Sequence, residues 1–313
     1  MNNSKKEVKV VKTIKGSLSI SKPENKTVLI CTNGFQTTDS HDATGMFDYY
    51  RQTFQKDFPN CEVDPVLLFE AHDPKTHHHR LYEKRLRNAI EGYIAKGYRI
   101  ILMGYSFSGA LVSKMAYKYR DHVDKVILVA PIYDTILNNM IPGYLKYAKK
   151  FKDLQKKYGN RISSSMGRQT VKGMFGLLVS IFVSILANRK YMRHITQQTL
   201  ILRGDVDPMC SEHSAKKVTS HLKGDYGFYL YGGMNHTMLK TVRLNGVVYE
   251  DILHFAFDTP FLIQKKEEIK QAKTLQAVRK LDEDGEEIPT FGEIFNSLDP
   301  DIDNDAVERK DQF

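Results

Sequence analysis

Short apolar runs of strand length alternate with segments of helical apolar spacing from about residue 8 to residue 260. The pattern predicts strands at Val8–Ile14, Ser17–Ile20, Thr27–Thr32, Val63–Phe69, Ile100–Met103, Lys125–Ala130, Thr199–Arg203 and Gly227–Leu230. It predicts helices at Met46–Phe58, Leu81–Ala95, from Ala110 onward, and at Tyr144–Tyr158, Met174–Ala187, His213–Leu222 and Tyr249–Phe257. The first two strands flank Lys15-Gly16 and predict a hairpin. The other strands are apolar throughout and alternate with helices, so we predict an α/β fold with a mostly parallel sheet covered by helices on both faces.

The alternation breaks in residues 132–193. Tyr144–Tyr158 is basic and amphipathic, whereas Met174–Ala187 carries no charge and is too short to cross a membrane. We interpret 132–193 as a helical cap or lid between two parts of one core, 1–131 and 194–263. Two further core helices are an equally weighted alternative. Residues 264–313 form a charged extension, and from Leu281 onward the apolar content is too low for a core, so we expect a flexible tail.

The charge of the chain is unevenly distributed, which bears on the partners that it could bind. The 313 residues carry a net charge of +9, but the segment from Leu281 holds about 12 acidic residues against two basic ones. The remainder is therefore strongly basic, which would suit an anionic substrate or membrane surface; a solvated surface partly neutralised by the tail is the favoured interpretation. No basic stretch has the interleaved aromatic pattern of a nucleic-acid module.

Three separated cysteines and the lack of an apolar leader predict a cytoplasmic protein without disulfides.

A strand, a tight turn and a helix meet at Gly104-Tyr105-Ser106-Phe107-Ser108-Gly109. A serine on such a turn projects above the sheet edge, and the residues two before and two after it must be small because the strand and helix backbones nearly touch. Gly104 and Ser108 fill these positions around Ser106. Ser108 is a rival nucleophile, flanked by Ser106 and Ala110, and sterics alone do not exclude it. The helix that follows directs its free N–H groups toward an oxyanion.

A serine nucleophile needs a base, and the base needs an orienting carboxylate. Asp207 lies just past one predicted strand, and His236 lies just past the next. Both are therefore expected at the same sheet edge as Ser106. Asp205 is a rival for the acid.

The motifs Gly104–Gly109, Gly204-Asp205-Val206-Asp207-Pro208 and Gly232-Gly233-Met234-Asn235-His236 together resemble the α/β-hydrolase family, and Asn33-Gly34-Phe35-Gln36 is similar to its oxyanion loop. The resemblance covers about Val8 to Pro260 and is greatest to small esterases, monoacylglycerol-lipase-like enzymes and acyl thioesterases.

The resemblance implies catalytic roles for single residues: Ser106 is the nucleophile, His236 the general base and acid, and Asp207 the orienting acid. It also implies an oxyanion hole of the backbone N–H groups of Phe35 and Phe107, with no cofactor. The family's spacing favours Asp207 over Asp205, and Gly104 favours Ser106 over Ser108. Ser108 in place of glycine and Asn33 in place of histidine are departures that remove no catalytic group.

Other chemistry-bearing residues are weighed as structural. His77-His78-His79 lacks a cysteine or a clear acidic partner at ligand spacing, so we expect a loop and no metal site. His254, His213 and His221 are interpreted as packing or surface residues. Four alternating acids, Asp299, Asp301, Asp303 and Asp305, lack the glycine of a calcium loop, and Lys310 occupies the closing position.

The sequence is compatible with three functions. The leading prediction is a serine hydrolase that cleaves small or lipid-like acyl esters, with a transient membrane contact through the lid. The second is a thioesterase or acyltransferase acting on carrier thioesters, because a basic body suits an acidic carrier. The third is a non-catalytic binding protein on a hydrolase fold, since fold alone does not fix function. The oligomeric state and the chain-length preference are left open.

Overall fold

A computed structural model describes residues 10–16, 26–34, 60–70, 73–133, 171–207, 209–210, 212–234, 236, 238–239 and 245–257. The strands are β1 (Val10–Lys15), β2 (Thr27–Thr32), β3 (Cys61–Val66), β4 (Arg99–Tyr105), β5 (Val123–Val129), β6 (Gln198–Gly204) and β7 (Tyr226–Tyr231). The helices are α1 (His79–Ala95), α2 (Ser108–Lys118), α3 (Val171–Asn188), α4 (Glu212–His221) and α5 (Asn245–Phe257), with short 3₁₀ turns at Pro74–Thr76 and Arg189–His194.

In these described residues the strands form one sheet in the order β1-β7-β6-β5-β4-β2-β3. Every neighbouring pair is parallel except β1 and β7, which are antiparallel. The prediction of a mostly parallel sheet is therefore confirmed. Parallel pairing places the carboxyl ends of β4, β6 and β7 at one edge, which is where the site forms.

The central strands β2, β4, β5 and β6 are buried on both faces of the sheet because their side chains alternate between two apolar layers. Ile100 and Leu102 of β4 pack with residues of α1, α2, α3 and α4, whereas Ile101 and Met103 pack on the opposite face with α5. All four side chains are inaccessible to solvent. Burial of one such side chain stabilises the fold by roughly 1.5–3 kcal/mol before cavity effects are counted. The continuous apolar runs of the sequence are thus explained by helices on both faces.

Several predicted boundaries differ for local reasons. The strand predicted at Val63–Phe69 is β3, which ends at Val66, because the N–H of Leu68 donates to the side chain of Asn33 (2.7 Å) instead of continuing the ladder. β5 ends at Val129, before Ala130, whose positive φ of 43° turns the chain. The other described elements lie within a few residues of their predicted bounds, as is usual for helix and strand ends.

The predicted N-terminal hairpin is only partly described. Its first strand is β1, which lies at one edge of the described sheet and has β7 as its described neighbour. The second strand, Ser17–Ile20, lies outside the described residues, as do the helices predicted at Met46–Phe58 and Tyr144–Tyr158 and the charged extension 264–313.

The uncharged helix predicted at Met174–Ala187 is α3. Leu177, Ile181 and Ile185 are buried in the same apolar layer as α1 and α2, whereas Val179 and Leu186 are exposed. In the described ranges no helix combines the length and the hydropathy needed to cross a bilayer. Most of 132–193 lies outside those ranges, so the cap assignment stays a prediction.

Candidate active site

Ser106 occupies the sharp turn between β4 and α2. Its φ of 60° lies in the left-handed region, which costs a non-glycine residue on the order of 1–3 kcal/mol and must be held by its surroundings. The N–H of Ser106 donates to the carbonyl of Val129 (2.8 Å), and its carbonyl accepts from the N–H of Ile132 (3.2 Å). The chain leaving β5 thus holds the strained residue on both sides.

The two positions of the turn that must be occupied by small residues are Gly104 and Gly109. A Cβ added at Gly104 would lie 2.7 Å from Cα of Gly109 and 2.9 Å from its nitrogen, distances that side-chain motion cannot relieve. Of Ser108, the backbone carbonyl carbon lies 3.1 Å from that Cβ, and its side chain is not among the nearest atoms. The departure from glycine at Ser108 is therefore tolerated because the close approach lies one residue later.

The Ser108 hydroxyl is fully buried and engaged in hydrogen bonds. It donates to the carbonyl of Tyr105 (2.8 Å) and accepts from the N–H of Tyr105 (2.9 Å) and from the hydroxyl of Thr32 (2.8 Å). No histidine among the described residues is within hydrogen-bond distance of it. These contacts make Ser108 a structural residue that joins β2 to the turn.

The structure brings the three predicted side chains Ser106, His236 and Asp207 into one hydrogen-bonded row. Nε2 of His236 lies 2.8 Å from Oγ of Ser106, and its Nδ1 lies 2.9 and 3.0 Å from the two carboxylate oxygens of Asp207. All three residues are buried, with exposed fractions of 4% for Ser106 and Asp207 and 7% for His236. A carboxylate only accepts, so Nδ1 carries the proton in the neutral ring and leaves Nε2 free to accept from Ser106.

Asp207 is held in place by the loop after β6. One of its oxygens also accepts from the N–H groups of Met209 and Cys210, each at 2.8 Å. The buried Arg203 guanidinium donates from Nε to the carbonyl of Cys210 (2.7 Å) and so fixes the same loop. Burial raises the pKa of the Cys210 thiol, which remains a neutral donor to the carbonyl of Pro131.

The rival acid Asp205 has a different set of contacts. Its carboxylate accepts from the N–H of Gly233 (2.7 Å), and its own N–H donates to the carbonyl of Tyr231 (3.1 Å). A Cβ at Gly204 would lie 1.9 Å from the carbonyl oxygen of Met234, so the loop that carries His236 passes directly over β6. Asp205 therefore joins the two loops and does not contact the imidazole.

Tyr105, to which the sequence patterns assign no role, touches His236. Its hydroxyl donates to the backbone carbonyl of His236 (2.7 Å), and the two rings are stacked with centroids 5.8 Å apart and an interplanar angle of 21°. Burial, with a smaller effect of the Asp207 charge, raises the pKa of Tyr105, so the hydroxyl stays protonated. The one signal in the sequence is a phenol beside the serine, at the end of an otherwise aliphatic strand.

The predicted oxyanion donors are partly described. Phe107 lies at the N-cap of α2, where backbone N–H groups point out of the helix. Phe35 lies outside the described residues. Asn33, which lies two positions earlier, is buried and accepts from the N–H of Leu68, so its side chain anchors the start of that loop to the segment after β3.

Of the other described histidines, three make hydrogen bonds outside the row. His77 Nε2 is 3.0 Å from the carbonyl of Glu70, and His78 caps α1 by accepting from the N–H of Arg80. His221 is exposed on α4 and bonds to the carbonyl of Lys217, whereas His254 is half-buried on α5. No group of metal-ligating side chains with metal-site geometry occurs in the part of the chain that the structure covers.

Comparison with known proteins gives likenesses in structure. No family model and no curated protein matches the sequence. A lipase-esterase related protein from Clostridium acetobutylicum is 15% identical with a TM-score of 0.52, over 79% of this chain and 99% of that one. A monoacylglycerol lipase from Paleococcus ferrophilus is 15% identical with a TM-score of 0.51, over 80% and 99%. A hydrolase from Oleispira antarctica is 12% identical with a TM-score of 0.52, over 78% and 93%. At these identities the likeness shows a shared fold and not a shared substrate.

Proposed function

The chain has the α/β-hydrolase fold, and on that fold we propose that it acts as a serine hydrolase that cleaves carboxylic esters through an acyl-enzyme on Ser106. The observation that carries the proposal is the continuous row from Ser106 through His236 to Asp207 on a strained turn. A serine hydroxyl alone is a weak nucleophile, and this row supplies both the base and the group that orients the base.

In the proposed first half-reaction, Oγ of Ser106 attacks the acyl carbonyl while Nε2 of His236 takes its proton. Asp207 holds the imidazole in the required tautomer and stabilises the imidazolium that forms. The N–H of Phe107, together with that of Phe35, would bind the tetrahedral oxyanion. His236 then returns the proton to the leaving alcohol, and the acyl group remains on Ser106.

In the second half-reaction, water enters and gives its proton to Nε2 of His236. The resulting hydroxide attacks the acyl carbon. Collapse of the second tetrahedral intermediate breaks the bond to Oγ of Ser106, which takes the proton back from Nε2 of His236 as the carboxylic acid is released. Burial of the row supports this chemistry, because hydrogen bonds to developing charge are stronger where water is excluded.

The test is labelling of the purified full chain with a fluorophosphonate, followed by peptide mapping, alongside hydrolysis of p-nitrophenyl acetate, butyrate and decanoate. We expect label on Ser106 and a loss of turnover of about 10³-fold or more in S106A. S108A is the matched control: it removes the neighbouring buried hydroxyl, and we expect it to retain the label on Ser106. Labelling of Ser108, or full turnover in S106A, would contradict the assignment.

The same assay separates the alternative functions. A preference for acyl-CoA over the oxygen esters would favour the thioesterase or acyltransferase alternative with the same nucleophile. A wild-type chain that neither takes the label nor turns over any of these substrates would favour a non-catalytic binding protein.

A further inference from the structure

The catalytic row demands that the loop carrying His236 keep a fixed position relative to Ser106. Ser106 directly follows β4 and Asp207 follows β6 by three residues, whereas His236 lies in a loop, five residues after β7. Displacement of a catalytic group by about 1 Å can cost about 100-fold in rate. A contact that ties this loop to the strand of the nucleophile would limit such displacement.

Tyr105 makes that contact from the residue directly before Ser106. Its hydroxyl is 2.7 Å from the carbonyl oxygen of His236, and its ring is stacked on the imidazole. One side chain thus touches both the backbone and the ring of the base. Because Tyr105 and Ser106 share a peptide bond, this contact links His236 to the residue next to the nucleophile.

The tyrosine itself has little freedom to move. It is 1% exposed, and its backbone N–H and carbonyl are both bonded to the hydroxyl of Ser108. A Cβ at Gly34 would lie 2.7 Å from Cδ1 of the Tyr105 ring, so the start of the predicted oxyanion loop packs directly on it. A side chain held in this way can keep His236 at a fixed position relative to β4.

We propose that Tyr105 is a positioning residue that sets the location and ring orientation of His236 relative to Ser106. This inference rests on the proposed function. Tyr105 takes no part in proton transfer: it keeps Nε2 at hydrogen-bond distance from Oγ by holding the carbonyl and one face of the imidazole.

The test compares Tyr105→Phe with Tyr231→Phe as a matched control. Tyr231 is also fully buried, and its hydroxyl also makes a 2.7 Å hydrogen bond, but to Asp251 on α5. Each substitution therefore removes one buried phenol hydroxyl and retains the ring. Turnover of p-nitrophenyl butyrate is measured per active site, with active sites counted by fluorophosphonate titration, and urea unfolding is recorded for each variant.

We expect kcat of Y105F to fall about tenfold with KM within about twofold, while Y231F retains both constants at comparable stability. Y105L, which also removes the stacked ring, is expected to lose about 100-fold. If Y105L does not fold, Y105F decides alone because it keeps the packing.

The outcomes separate this inference from the proposed function. An active wild type in which Y105F and Y231F have equal kcat per titrated site, or in which Y105F changes KM alone, would overturn the positioning role and leave the hydrolase proposal standing. A wild type that is neither labelled nor active would overturn the hydrolase proposal first.

Discussion

At the residue scale, Asp205 and Asp207 lie two positions apart but have different hydrogen-bond partners. Asp207 contacts the imidazole of His236, whereas Asp205 bonds the backbone of Gly233. In D207N the amide group presents N–H donors toward Nδ1 and favours the wrong tautomer, so we expect kcat to fall about 10³- to 10⁴-fold with the label site unchanged. Steady-state kinetics with p-nitrophenyl butyrate measures the loss.

D205N is the matched control for D207N. Asparagine keeps a carbonyl oxygen that accepts from the N–H of Gly233, so we expect kcat within about threefold of wild type. A larger loss in D205N than in D207N would assign the orienting acid to Asp205 and contradict the contacts of the two carboxylates.

The sequence predicted the candidate row by position, since Ser106, Asp207 and His236 each follow a predicted strand. It left Ser108 open as a nucleophile, because small flanking residues fit either frame. The hydrogen bonds of the two hydroxyls distinguish them: Ser106 bonds His236, whereas Ser108 bonds Tyr105 and Thr32. The bond from Tyr105 to His236 spans 131 positions. No local pattern encodes such a contact, which depends on how the loop after β7 meets the end of β4.

At the element scale, the junction of β4 and α2 has no room for a side chain at Gly104. In G104A the new Cβ would overlap the backbone of Gly109, so strand and helix must separate. We expect a loss of roughly 3 kcal/mol or more in the free energy of unfolding, at the upper end of point substitutions. Urea denaturation followed by circular dichroism measures it, or insoluble expression reports it.

G92A supplies the contrast within an ordinary helix. A Cβ at Gly92 in α1 meets no atom within 4 Å. Alanine there is expected to stabilise the protein by up to about 1 kcal/mol, since it restricts the unfolded chain and favours the helix. Equal effects of G104A and G92A would show that the close approach at the turn is absent.

The bounds of an element were predictable where its residues are buried without interruption. They were less predictable where a distant side chain takes a backbone hydrogen bond from the end of a strand. β2 matches its predicted range, Thr27–Thr32, because all six residues are buried. β3 ends early because the Asn33 side chain accepts the N–H of Leu68. That interruption arises from a residue more than 30 positions earlier, so periodicity in the local window could not reveal it.

At the scale of the whole molecule, the order of strands assembles the site. β4, β5, β6 and β7 are consecutive neighbours, so the loops after β6 and β7 lie beside each other and reach across β5 to the serine turn. The contacts of Gly204 with the Met234 carbonyl and of Asp205 with Gly233 join those loops. The contacts that hold these two loops at the sheet edge therefore also set the relative positions of Asp207 and His236.

Stability at alkaline pH tests the burial of the whole core. Burial raises the pKa of Cys61 from 9.0 to about 11 and that of Tyr82 from 10.0 to about 12, and it also raises the pKa values of Tyr133 and Tyr231. Above pH 9 the unfolded chain releases protons that the folded chain retains. We therefore expect the free energy of unfolding to be constant to about pH 8.5 and then to fall, by about 1.4 kcal/mol per pH unit for each group between its two pKa values.

Urea midpoints at pH 8 and pH 10.5 measure this dependence, and tyrosinate absorbance follows it without interference because the sequence has no tryptophan. C61A is the control: it removes one of the two thiols, Cys61 and Cys210, whose pKa burial raises from 9.0, so the fall between pH 9 and pH 10 should become smaller than in wild type. The buried phenols should ionise only as the protein unfolds. Ionisation of all 17 tyrosines near pH 10 in a chain that remains folded would contradict the two-layer core from which the site is built.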